Sequence, residues 1–182
     1  MSHMEREARE APEAVARFLD RNGKALVELG LKLRNAPPPM IITCGRGSSD
    51  NAAGYFKYLT EILLGVPCAS VGASVVSVYD APLKLKGGLC VTISQSGKSP
   101  DIVALQDAAK KAGALTVALV NTEDSPAAQN ADICLTLHAG QELSVAATKS
   151  FIVSLVAGAA ITCHEPYGTR SSRSARGRRA VS

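Results

Sequence analysis

Five short apolar runs, at 40–44, 68–71, 89–93, 115–120 and 133–137, recur along this chain, and a segment of helical character follows each of them. The runs are continuously apolar rather than alternating, so both faces of the strands they form must be covered. Strands of that kind alternating with helices make a parallel sheet sheathed on both sides. The expected fold class is therefore α/β: a three-layer α-β-α sandwich around a five-stranded parallel sheet. Helices are expected over 51–64, 74–79, 101–112, 125–130 and 145–161. Ahead of the first strand, residues 4–35 read as two helices. Ala14, Val15, Phe18 and Leu19 share one face; Ala25, Leu26, Leu29 and Leu33 share another. Asn22-Gly23 is the expected joint and Ala36-Pro37-Pro38-Pro39 the stop. The expected organisation is an N-terminal helical hairpin over 1–36, a sheet domain over 37–162, and a basic Arg/Ser-rich tail without structure over 163–182.

In a sheet of this type ligands lie beyond the carboxyl ends of the strands. Polar turns fall there at 45–50, 94–99, 121–125 and 138–144. Ser94-Gln95-Ser96-Gly97-Lys98-Ser99 is the richest of them, and a helix opens directly after it. Ser99 is the expected N-cap, Pro100 stands at the first helical position and Asp101 in the first turn. Free N–H groups and the positive end of a helix dipole favour a phosphate at such a place, and serine hydroxyls with a glutamine amide add neutral donors. Gly97-Lys98-Ser99 is not a P-loop, because the earlier glycine that motif needs falls on Thr92. Gly45-x-Gly47-x-x-Asp50 lacks the third glycine or alanine of a dinucleotide fingerprint, and no acid stands about 20 residues on. Taken alone, Ser48 or Ser49 reads equally well as a helix cap; beside a second serine turn at the same sheet edge, capping is the poorer account. Glu142 either complements a helix dipole or faces the pocket as the only candidate catalytic base. His138, near a strand end, is isolated.

Composition narrows the classes further. No run of about 18 apolar residues exists, so no membrane span is expected. The charged N-terminus, with Glu5, Arg6, Glu7, Arg9 and Glu10, does not read as a signal peptide. The five cysteines are scattered with no C-x-x-C, which supports neither a disulfide framework nor a zinc site and fits a reducing, cytoplasmic setting. No metal or cofactor is expected. The net charge of +4 arises after residue 163, where five arginines face one acid; the remainder carries 15 basic and 15 acidic residues. No aromatics interleave those arginines, so nucleic acid is not an expected partner.

Three segments carry a resemblance: Gly45-Arg46-Gly47-Ser48-Ser49, Ser94-Gln95-Ser96-Gly97-Lys98-Ser99, and Glu142-Leu143-Ser144-Val145-Ala146-Ala147-Thr148-Lys149. In this order they resemble the SIS (sugar isomerase) domain, which residues 40–161 match almost throughout. The resemblance implies a flavodoxin-like or Rossmann-like SIS fold and a phosphosugar site. Gly47, Ser48, Ser49, Ser94, Gln95, Ser96 and Ser99 match the binding positions, and Val145 matches a backbone contact. The chain departs from the pattern at Ala147, where a serine is usual, and at Arg46, where the synthases have cysteine. The whole looks like the first copy of a tandem-SIS protein, similar to the isomerase half of glucosamine-6-phosphate synthase. It implies a phosphosugar-binding part of an amino-sugar-phosphate isomerase or deaminase that interconverts glucosamine 6-phosphate and fructose 6-phosphate. The alternative is a non-catalytic or regulatory phosphosugar-binding module. The base, the ring-opening histidine and the closing lysine of such enzymes would lie outside this chain, which reads as truncated. A lone copy would leave apolar surface bare, so a homodimer is expected.

Overall fold

Each apolar run forms a strand: β1 Ile41–Cys44, β2 Cys68–Ser70, β3 Leu89–Ser94, β4 Leu115–Val120 and β5 Ile133–Thr136. The computed structural model describes residues 2–163. All pairings are parallel and the strand order is β2-β1-β3-β4-β5. The chain steps from β1 to one edge and from β3 to the other, so the sheet reverses direction between β1 and β3. Their registers align Cys44 with Thr92, which brings the two serine turns side by side. That is the switch point at which open α/β sheets bind ligands.

The helices are α1 His3–Arg9, α2 Ala11–Asn35, α3 Ser48–Leu59, α4 Ser74–Ser77, α5 Pro100–Lys111, α6 Pro126–Asn130 and α7 Lys149–Thr162. Alternate residues of each strand serve opposite layers, as the period of two requires. Ile41, Leu89, Val91, Ile93, Val117 and Leu119 pack with Phe18 and Leu29 of α2, Phe56 of α3 and Val153 of α7. Cys90 and Ile42 meet Ala109 of α5, and Ala118 and Val120 meet Ala127 of α6. The three-layer sandwich is thus the expected one. No described helix is long and apolar enough to cross a membrane.

Three local expectations are corrected. The N-terminal segment is not a hairpin jointed at Asn22-Gly23: α2 runs through that dipeptide for 25 residues, and the break comes at Glu10. Asn22 is buried, and its amide donates to Phe18 O in the preceding turn (3.0 Å) and to Thr136 O at the end of β5 (2.9 Å). Those bonds occupy the side chain that otherwise favours a turn at this pair, and the helix continues through it. The next helix opens at Ser48 rather than Asn51 and ends in a π-helical turn, Thr60–Leu64. Lys57 grips Glu61 there (2.7 Å), and Glu61 also accepts the Cys68 N–H at the start of β2 (3.3 Å). Finally, α7 begins at Lys149 and not at Val145, with Glu142 taking the Thr148 and Ser150 amides at its start. Apart from Cys163, which caps α7, the expected basic tail lies outside the described residues.

Candidate functional site

The turn after β1 is shaped by close approach. A Cβ on Gly45 would stand 2.8 Å from the Ser49 carbonyl group, so the strand can pass beneath the first turn of α3 only as glycine. Gly47 occupies the N-cap of α3 with no side-chain cap bond. Neither Ser48 nor Ser49 therefore acts as the cap, and their hydroxyls have no partner among the described residues.

The turn after β3 is pinned from inside and outside. Ser94 Oγ accepts the Gly97 N–H (3.1 Å) and Ser96 Oγ accepts the Lys98 N–H (3.3 Å). Gln95 O accepts from Asn121 N, and Gly97 O from Ala127 N. Gly97 has φ +62, and a Cβ there would lie 2.2 Å from Ser125 Oγ. Because Ser94 and Ser96 use only lone pairs, each keeps its O–H to donate. Ser99 stands at the N-cap of α5 as expected, yet its hydroxyl makes no cap bond, so both that hydroxyl and the first amides of α5 remain open to a ligand.

These two turns and the segment before α7 enclose a cleft of about 410 Å³. Gly47, Ser48, Ser49, Ser94, Gln95, Ser96, Ser99 and Val145 all line it, together with Arg46, Ile93, Ile102, Glu142, Ser144 and Ala147. Every expected binding residue is thus brought to one cavity. Glu142 lines it too, but its carboxylate accepts the Thr148 N–H (2.9 Å), the Ser150 N–H (3.1 Å) and the Ser150 hydroxyl. It closes the N-terminus of α7, where a negative charge is favoured.

The far wall is held by residues that sequence reasoning passed over. Glu7 of α1, only 4% exposed, accepts the Leu143 and Ser144 N–H groups and the Ser144 hydroxyl. The Ser144 hydroxyl, with these amides and Lys149 nearby, holds the Glu7 carboxyl below the usual carboxylate range against the opposing effect of burial. Lys149 is committed to Glu10 (2.6 Å). With Leu143 and Ser144 fixed by Glu7 and the Thr148 and Ser150 amides taken by Glu142, α7 starts at Lys149, and Val145 between the two anchors stands fully exposed at the cleft. Only the acidic character of residues 5–10 hinted at this, with nothing to say which loop they would meet.

His138 and Lys98 are not brought to the cleft. His138 lines a neighbouring cavity with Arg17 and Arg21 and pairs with Glu123 (3.3 Å). Burial, with Arg21 beside it, draws its pKa below the ordinary imidazole value. Lys98 lines a groove between α5 and α6.

Comparison with known proteins agrees with this architecture. A family model described as SIS domain matches residues 32–163. The glutamine–fructose-6-phosphate aminotransferase (isomerizing) of Aquifex aeolicus is 38% identical over 134 residues, which are 74% of this chain and 22% of that one. Among solved structures, a Silicibacter pomeroyi protein assigned as a phosphosugar isomerase is 49% identical with a TM-score of 0.86, over 89% of this chain and 50% of that one. The C-terminal domain of the glucosamine-fructose-6-phosphate aminotransferase of Francisella tularensis is 30% identical with a TM-score of 0.73, over 88% of this chain and 46% of that one. The chain therefore spans about a fifth of the Aquifex enzyme and about half of these two solved chains.

Proposed function

The chain belongs to the SIS domain family, and from that membership we propose that its cleft binds a hexose phosphate as part of an amino-sugar-phosphate isomerase or deaminase. One observation carries the reading: Ser48, Ser49, Ser94, Ser96 and Ser99 converge on one cleft at the uncapped N-terminus of α5. Neutral O–H and N–H donors around a dipole's positive end suit a phosphate dianion. The phosphate sits against Ser94–Ser99, and the sugar extends toward Ser49 and Val145. The relatives support the choice of ligand, since both the aminotransferases and the phosphosugar isomerase take their names from such sugars.

Proton transfer between adjacent sugar carbons needs a base at the moving hydrogen and an acid at the carbonyl oxygen. Glu142 is the only carboxylate lining the cleft among the described residues, and we assign it to closing α7 rather than to catalysis. That observation favours a second reading, in which this chain alone binds phosphosugar without turning it over. Isothermal titration with fructose 6-phosphate and glucosamine 6-phosphate, beside a turnover assay, separates the two. Ser99→Ala is the cleanest variant, since that hydroxyl has no partner among the described residues. It should leave the melting temperature unchanged and weaken binding ~10- to 100-fold, as for a hydrogen bond to a charged group. Unchanged affinity in Ser99→Ala and Ser96→Ala would refute the assignment.

We further place the protein in the cytoplasm, as a homodimer. Tyr58, Ile62, Val78, Tyr79 and Leu143 are exposed apolar side chains, and α7 is apolar nearly all round, which suits a covered helix. Light scattering that shows a monomer at micromolar concentration would argue against the dimer.

A further inference from the structure

We propose that Arg46 is a specificity-determining residue of the cleft: a cation stored on Asp101 in the free protein that transfers to the phosphate when a phosphosugar binds. The inference rests on the phosphosugar reading above and adds to it the one charge that reading leaves without a role.

Among the described residues, Arg46 is the only cation lining the cleft. The nearby lysines are otherwise engaged: Lys149 is 6% exposed and paired with Glu10, and Lys98 lines the groove on the other side of the turn. All remaining polar groups around the cleft are neutral donors, save Glu142, which is committed to α7. Among the described residues, a dianion entering here meets one full positive charge, Arg46.

Arg46 is also suitably placed. It belongs to the first serine turn, and its Nη1 reaches Asp101 Oδ2 at 2.9 Å, in the first turn of α5. The guanidinium thus spans from one phosphate-facing turn to the other, ending beside the helix whose N-cap is Ser99. With its side chain 68% exposed, the pair is a surface ion pair of the kind worth little, so exchanging Asp101 for a phosphate costs little. A guanidinium bonded to phosphate by a planar fork gains more than it leaves behind. Asp101 keeps the arginine folded over the cleft when empty and disfavours ligands that lack a charge to compete with it.

The test is a double-mutant cycle read by titration calorimetry with fructose 6-phosphate on parent, Arg46→Ala, Asp101→Asn and the double variant, with Ser96→Ala as site control. Arg46→Ala should weaken binding ~10-fold or more. Asp101→Asn, which frees the arginine, should tighten it ~2- to 5-fold. The decisive comparison is Arg46→Ala within Asp101→Asn. A transferring cation makes that loss larger than in the parent. If Arg46 only neutralises Asp101, the loss vanishes there, and the proposal is overturned. It is equally overturned if Arg46→Ala binds like the parent while Ser96→Ala does not, an outcome that leaves the phosphosugar reading intact. A parent that binds no phosphosugar ends both. Apo melting temperatures of all variants exclude unfolding as the cause.

Discussion

Replacing Gly97 with alanine should be a strongly damaging methyl addition in the turn that bounds the cleft, and its cost divides into two parts that can be measured separately. The backbone there has φ +62, and the left-handed region costs a residue with a Cβ about 1–2 kcal/mol. The new Cβ would also stand 2.2 Å from Ser125 Oγ and 2.7 Å from Ser125 Cβ, with Val120 Cγ1 at 3.1 Å. Ser125 and Val120 are fully buried and cannot retreat into solvent, so over-packing adds about 1–3 kcal/mol. The sum is about 2–5 kcal/mol, a drop of about 1–2.5 M in the urea midpoint for a slope of about 2 kcal/mol per molar. Ser125→Gly removes both of the closest contacts. Its own cost as N-cap of α6, where Oγ accepts the Ala128 N–H at 3.3 Å, is only a few tenths of a kcal/mol, because glycine is a tolerable cap. In the double variant the over-packing part should therefore return and the φ part remain. Urea unfolding followed by far-UV circular dichroism reads all four proteins. A Gly97→Ala midpoint within error of the parent would refute the reasoning; a double variant no better than the single would show that the φ cost accounts for all of it.

Further outcomes follow from the same contacts. The Glu7 carboxyl is held below its ordinary 4.5, so its contribution is present above that value and lost as pH falls through the lower folded pKa. The Leu143 and Ser144 amide resonances should move together in that acid range, and Glu7→Gln should abolish the shared transition. Asn22→Ala removes the donor to Thr136 O and should destabilise by about 1–3 kcal/mol in thermal unfolding; no loss would mean water replaces the amide. Burial pushes the Cys44 and Cys90 thiols up to about 12, so a thiol reagent at pH 8 should label exposed Cys163 quickly and these two only after denaturant is added.

The sheet and the cleft were legible because their signals are local. Continuous apolar runs set each strand, and the serine turns carry their own helix starts in Pro100 and the preceding glycines. Residues whose role depends on a distant partner were not legible. Nothing near Asn22 announces that Thr136 O, 114 residues on, will turn a turn signal into mid-helix. The placing of Leu143 and Ser144 is likewise decided by Glu7, 136 and 137 residues before them. The pattern Ser-Pro-Asp marks Ser99 as a capping residue; it holds the cap position without making the cap bond, which is what leaves its hydroxyl for a ligand.

The grip of Glu7 on Leu143 spans 136 positions of sequence. A wall of the cleft is thus built by one segment and another synthesised long after it, and neither can form it alone. During translation the cleft must stay open until the segment before α7 has left the ribosome. A protease or fusion tag acting on the first ten residues would likewise reach the ligand site, far from any residue that touches the ligand.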